Sequence, residues 1–188
     1  MPKQYWLMKT EPGTFSIADL ERVRVEPWSG VRSHFAKFHM RAMQVGDEVL
    51  FYHSSCEPPG VAGLARVERT GVVDETQFDP NSKYFDERAT REKPIWDCVD
   101  VAYVETLPYF VSLSRIRAQP ELENMMLLER GMRLSVQPIA QVHFDRIVAL
   151  GDEPPPAEEP QPARKSPAKA NKKRAKKTIR KSTKKRKR

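Results

Sequence analysis

Apolar and polar positions alternate most cleanly over residues 47–54. Val49, Phe51 and His53 point to one side of an extended chain, and Leu50, Tyr52 and Ser54 to the other. That period of two predicts a strand. Gln4–Lys9, closed by Glu11-Pro12-Gly13, predicts an earlier one. Glu57-Pro58-Pro59-Gly60 reads as a turn, and Val61–Thr70 as the next strand of a hairpin-like pair. Trp96–Leu107 predicts a further strand, with Val99, Val101 and Tyr103 on one face. Elsewhere the period lengthens. Ser16 caps a short helix through Leu20, with Asp19 as its capping-box partner. Ser33 opens a helix in which Ala36, Met40 and Met43 share a face, and Gly46 is its expected C-cap. Pro120–Gly131 predicts a helix with proline at its start, Leu122, Met125, Met126 and Leu128 inside and glycine at its end. Arg133–Gln137 is short and extended before Pro138. Ile139–Leu150 predicts a last helix with Ala140, His143, Phe144, Ile147 and Val148 on one face, stopped by Gly151. Residues 74–95 are polar, with Pro80, Pro94 and the pair Tyr84-Phe85. A loop of that length is usually functional or disordered, and buried aromatics favour the former. Strands and helices mix without a regular βαβ alternation. The class is therefore α+β: a curved, mostly antiparallel sheet or small β-barrel with flanking helices.

Charge divides the chain in two. Residues 152–188 hold 15 Lys/Arg against 4 Asp/Glu, a surplus of +11, while residues 1–151 carry −3. All aromatics and all glycines lie in the body. A body of 151 residues can bury roughly 70% of its unfolded surface, enough for one core. The tail has a single isoleucine and no aromatic, so it is expected to stay disordered. Pro154–Pro162 is a stiff spacer. Beyond it, Lys172, Lys173, Arg174, Lys176, Lys177, Arg180, Lys181, Lys184, Lys185, Arg186, Lys187 and Arg188 are expected to contact phosphates without specificity. Each phosphate neutralised on duplex DNA contributes about −0.9 to the log–log salt slope. A solubilising or address function is the alternative for this tail.

Several classes drop out. No apolar run approaches the ~18 residues of a membrane span, so no membrane partner is expected. The N-terminus, MPKQYWLMKTEP, lacks a signal-peptide core, and a non-secreted protein is expected. Cys56 and Cys98 stand alone without zinc spacing, as two reduced, buried thiols would. There is no dinucleotide fingerprint, phosphate loop, GxSxG or HExxH, and no cofactor or metal is expected. His34 and His39 sit five apart and share a helix face poorly. His53, Ser54 and Cys56 are close in sequence, but a nucleophile needs its base in space.

Aromatics cluster among short polar segments: Trp6, Trp28, Phe51, Tyr52, Tyr84, Phe85 and Trp96. Lys9, Arg32, His53, Ser54, Arg133 and Gln137 interleave with them. Flat π-faces and a few polar groups suit an extruded base, whose edge the polar groups read. The competing reading is that most of these aromatics form the core.

Beyond residue types, eight linked motifs carry a resemblance. They are Tyr5–Pro12, Trp28–Arg32, Gly46–Ser54, Pro59–Gly63, Thr76–Asp79, Tyr84–Asp86, Trp96 with Val99–Val101, and Arg133–Pro138. In order and spacing they resemble an EVE domain over nearly all of residues 3–150. The resemblance implies a PUA-like fold in a domain spanning 1–151, with the tail over 152–188. It implies a non-catalytic domain that binds a modified nucleobase, 5-methylcytosine or 5-hydroxymethylcytosine in DNA foremost. Modified RNA or tRNA is an alternative partner, and a PUA-like enzyme acting on a nucleotide a more distant one. Carried over position by position, the expected base pocket is Lys9, Trp28, Val31, Arg32, Ser33, His53, Ser54, Ser135 and Gln137. Where the family reads VRN-x-x-ARN, Ser33, Lys37 and Phe38 depart from the pattern, which leaves base preference open. Ser33 serves either as a helix cap or as a base contact, and the cap is favoured. A monomer is expected, cytoplasmic and nucleoid-associated in a bacterium, nuclear in a eukaryote.

Overall fold

The computed structural model describes residues 2–157. The tail cations expected to bind phosphate lie outside the described residues. Six strands form one sheet: β1 (Tyr5–Thr10), β2 (Val25–Pro27), β3 (Glu48–His53), β4 (Gly60–Val73), β5 (Asp97–Ser112) and β6 (Val136–Ile139). Their order is β2-β5-β4-β3-β1-β6. β1 and β3 pair in parallel, and every other neighbouring pair is antiparallel. The parallel pair needs a crossover, which carries α1 (Ile17–Val23) and α2 (His34–Ala42). Ser16 caps α1 in a full capping box with Asp19, and the Ser33 side chain caps α2 by accepting from Ala36 N.

Both faces of the sheet are covered. On one, Trp6 and Met8 of β1 and Val49 and Phe51 of β3 meet Ile17 and Leu20 of α1 and Ala36 and Met40 of α2. On the other, Leu7, Leu50 and Tyr52 meet Ile116 of α3 (Leu113–Arg117) and Phe144, Ile147 and Leu150 of α4 (Gln141–Asp152). Successive residues of β1 and β3 thus feed opposite cores, as a period of two requires. Burying one such side chain is worth roughly 1.5–3 kcal/mol. The β4–β5 pairing shifts register at four places, which bends both strands. Pro108 lies in one of these gaps, where its missing N–H costs no ladder bond. α2 touches both the β6 edge and β5, so the sheet curls around it into an open barrel.

Several expectations are corrected. Residues 120–131 are no α-helix: two 3₁₀ turns, Pro120–Leu122 and Met126–Leu128, flank an extended Met125. Leu122, Met125 and Leu127 are the buried residues, a spacing of three then two that no single α-helical face provides. Packing over the sheet overrides the apparent start and stop signals. Gly46 is not a C-cap, since α2 ends at Ala42 with Met43 as its cap; it turns with φ +93 and donates its N–H to Val67 O. Gly151 does not stop α4 but lies inside it. A Cβ there would come within 2.7 Å of the Leu107 side chain, so close helix–strand approach explains the residue. The last short strand runs on through Pro138, tolerated at the sheet edge.

Candidate nucleic-acid interface

The loop Trp28–Ser33 is held by a buried carboxylate. Asp74 accepts from Gly30 N at 2.8 Å, Arg32 Nη1 at 2.7 Å, and Thr76 N and Oγ1. Burial alone pushes its carboxyl up, but the donors of Thr76, Arg32 and Gly30 outweigh that and hold it below the usual carboxylate range. Arg32 spends every donor within the protein, on Tyr84 O, Val31 O, Asp74 and Thr76 Oγ1. Its guanidinium also lies 5.5 Å from the Tyr84 ring centre and 5.3 Å from that of Trp96. Gly30, at φ +80, sits against Tyr84 so closely that a Cβ would fall 2.5 Å from the ring. Gln77, fully buried, joins the same assembly by donating to Asp74 O and Trp96 O and accepting from Ile95 N and Trp96 N. The long polar loop is therefore the brace of the shorter one. Arg32 is its clamp, with no donor left to read a base.

Trp28 belongs mainly to the core, 7% exposed and edge-on to Phe51 at 5.4 Å. Trp6 and Trp96 donate their indole N–H groups to Asp47 and Asp86. The Trp28 indole N–H meets no acceptor among the described residues. His53 lies on the same side of β3, 5.7 Å from Phe51 and 6.4 Å from Phe110. Its Nε2 accepts from Ile17 N at 3.2 Å, which puts the proton of a neutral ring on Nδ1. Burial pushes the His53 imidazole down to about 4, so it stays neutral through the physiological range. Val31 and Phe15 pack against this cluster from the rim.

Lys9 lies elsewhere. It shares a strand face with Tyr5 and Leu7, and its Nζ is 6.0 Å from the Tyr52 ring centre. Ser135 accepts the Lys9 N–H through its carbonyl, and Gln137 pairs with Leu7. Lys9, Ser135 and Gln137 thus lie across the sheet from Trp28, Val31 and His53. The half-buried Lys9 ammonium has no hydrogen-bond or ion-pair partner among the described residues, and burial lowers its pKa. Gln137 donates to Leu134 O and lines a hollow of about 250 Å³ with Met125, Leu127 and His143. A larger cleft of about 440 Å³ lies between Arg41, Gly71, Pro94 and Trp96. Neither includes Trp28 or His53.

Ser54 gives both its N–H and its hydroxyl to Thr10 O, extending the parallel ladder by one step. It is not paired with His53, so no nucleophile–base couple forms there. Cys98 is buried and its thiol is pushed up to about 12, while Cys56 is only half-buried; both are free. His34 stacks on Trp96 and His39 faces Trp6, so the two histidines do not converge. Among the aromatics expected in polar loops, Trp6, Phe51 and Tyr52 are strand residues buried in the cores. Among the described residues no helix is long and apolar enough to cross a membrane. Sequence reading missed Asp74, whose only signal was a position inside an apparently irregular polar segment, and it gave no role to Gln77, although Gln77 lies in the Thr76–Asp79 motif.

This architecture has close likenesses. A protein from Pseudomonas putida of known crystal structure is 47% identical, with a TM-score of 0.75, over 78% of this chain and 99% of that one. The human THYN1 protein, solved in complex with 5-methylcytosine-containing DNA, is 35% identical with a TM-score of 0.75, over 81% of this chain and 100% of that one. In sequence, Thymocyte nuclear protein 1 of Homo sapiens is 35% identical over 170 residues, covering 80% of this chain and 75% of its own length. The EVE domain model matches residues 4–150, and with that match spanning the whole barrel the chain belongs to the EVE domain family.

Proposed function

We propose that residues 1–151 form a non-catalytic domain that reads a modified cytosine in DNA, and that the basic tail over 152–188 holds the polymer nearby. The observation that carries this reading is the likeness, along the whole barrel, to the human protein solved with 5-methylcytosine-containing DNA. The chemistry of the Trp28–His53 cluster is consistent with it. Cytosine offers two neighbouring acceptors on its pairing edge, O2 and N3. The unpartnered Trp28 N–H and the Nδ1–H of a neutral His53 are donors that suit them. The partly buried Phe15, packed on Phe51, supplies the apolar surface a 5-methyl group needs. A buried cluster can take up a base only once it is flipped from the stack, at a cost of a few kcal/mol. The braced Trp28–Ser33 loop lowers the ordering cost on binding, since Asp74 and Arg32 already fix it. The tail would raise the effective concentration of DNA without adding selectivity.

The test is a titration of the full chain against matched oligonucleotides carrying cytosine, 5-methylcytosine or 5-hydroxymethylcytosine, as DNA and as RNA. Tighter binding to a modified DNA strand is expected, and Trp28→Phe, which keeps an aromatic core and removes the N–H, should reduce the preference. Equal affinity for all the DNA probes would overturn the reading, and a preference confined to RNA would replace the substrate.

A further inference from the structure

The buried face of α2 leaves an opposite face with unusual content. Phe35 is 77% exposed and Phe38 67% exposed, and Val45 beyond the helix end is 67% exposed. Phe35 and Phe38 are three residues apart, so they project within about 60° of one another around the helix. Two neighbouring phenyl rings in water on one helix face are costly to keep and mark a contact surface. Phe38 is held edge-on to His39 at 5.9 Å, so the ridge has a defined shape.

The charge around the ridge says which kind of partner fits. From Trp28 to Gly46 the sequence contains Arg32, Lys37 and Arg41 and no Asp or Glu, within a body whose net charge is −3. Lys37 Nζ donates to the neutral Ile95 carbonyl, so its charge is not cancelled by an acid. Arg41 pairs with Asp97, yet 60% of its side chain remains exposed. His34 adds a third exposed ring on the flank. Arg32 is neutralised by Asp74, so the positive groups that border the ridge are Lys37, which has no carboxylate partner among the described residues, and the outward part of Arg41. An aromatic ridge so bordered complements a polyanion with flat apolar faces between its charges. The ridge also begins two residues after Ser33, where the braced loop of the base-reading cluster enters α2.

We infer that Phe35 and Phe38 form a wedge that contacts unstacked bases of duplex DNA beside the base being read. This rests on the base-reading proposal and adds to it a second point of contact. Flipping one nucleotide leaves its neighbours without a stacking partner. Apolar side chains inserted at such a step take that place, and stacking of this kind tolerates any sequence. The wedge therefore contributes affinity and supports extrusion, while the Trp28–His53 cluster contributes selectivity.

The experiment compares the wild-type chain with the double variant Phe35→Ser/Phe38→Ser. Both changes are on the exposed face, and circular dichroism and melting check that the fold is kept. The probe is a duplex with a single 5-methylcytosine and 2-aminopurine at the adjacent position, alongside its unmethylated counterpart. The wild type should raise 2-aminopurine fluorescence. The variant should bind both duplexes roughly 5- to 150-fold more weakly and leave the fluorescence unchanged, with the methylated-to-unmethylated ratio preserved. Equal affinity and an equal fluorescence rise would overturn the wedge. So would unchanged DNA binding accompanied by loss of a wild-type dimer in sedimentation, which would assign the ridge to self-association. The two proposals fail separately. A wild type that binds both duplexes alike refutes base reading, yet the wedge stands if the variant still loses affinity and fluorescence. A wild type that discriminates, matched by a variant of equal affinity, refutes the wedge alone.

Discussion

His53 makes a pH-dependent contribution to stability that can be separated from all others. Its ring is half-buried beside Phe51 and Phe110, and no carboxylate pairs with it among the described residues. Burial takes it from the ordinary 6.5 to about 4. The unfolded chain therefore binds a proton at pH values where the folded chain does not, and stability falls as pH drops from about 6.5 to about 4. A fall of that size corresponds to roughly 3 kcal/mol, of which about 2 kcal/mol is lost by pH 5. That is a large part of the 5–15 kcal/mol typical of a domain. Asp19 and Asp74 are held low, so their contributions are present above the ordinary carboxylate range and disappear only below it, outside this window. His39 is lowered by burial too and adds to the same slope, but it is common to both proteins compared. Urea unfolding of the full chain at pH 7, 6 and 5 should show the loss in wild type, and His53→Gln should flatten it by most of that amount. The absolute stability of the variant is immaterial, because losing the Ile17 contact costs the same at each pH. A wild type equally stable at pH 7 and 5, or a variant with the wild-type slope, would refute the reasoning.

Three further outcomes are expected. Ser33→Ala should cost roughly 1 kcal/mol of stability by removing the cap of α2, with the preference among cytosine, methylcytosine and hydroxymethylcytosine unchanged in titration. Lys9→Met should leave the melting temperature unchanged or raised, since a half-buried ammonium without a counter-charge is replaced by an apolar chain of similar length; a lower melting temperature would mean that Lys9 has a stabilising partner. Deleting 152–188 should weaken binding to any nucleic acid and flatten its salt dependence while keeping base selectivity, and equal affinity at low salt would show the tail to be inert toward phosphate.

Much of the fold was legible because local pattern and tertiary demand agreed. The alternation at Val49–His53, the Ser16–Asp19 box and the Ala36–Met40–Met43 face each read directly into structure. Residues 120–131 read wrongly because end signals are local, whereas the burial of Leu122, Met125 and Leu127 is decided by what lies beneath them. Gly151 misled for the same reason: a glycine that admits a neighbour looks, in sequence, like one that ends a helix. The site was legible in part. Strand parity alone puts His53 with Phe51 and Lys9 with Leu7, so the division of the expected pocket across the sheet was available from alternation. Commitments of Arg32 were not. Its partners come from a segment 42 positions away, and no periodicity announces them.

Asp74 and Arg32 also bear on how such a protein can change. Because one carboxylate fastens both segments, neither behaves as an independent module. A substitution at Gly30 that met the Tyr84 ring would call for a compensating change far along the chain. Swapping the Trp28–Ser33 stretch between homologues would carry across the letters but not the brace. A chimera that moved it together with residues 74–96 would transplant a working unit. Across lineages, the two stretches should drift as one inherited cassette, while the exposed ridge of α2 lies outside that brace and can change without disturbing it.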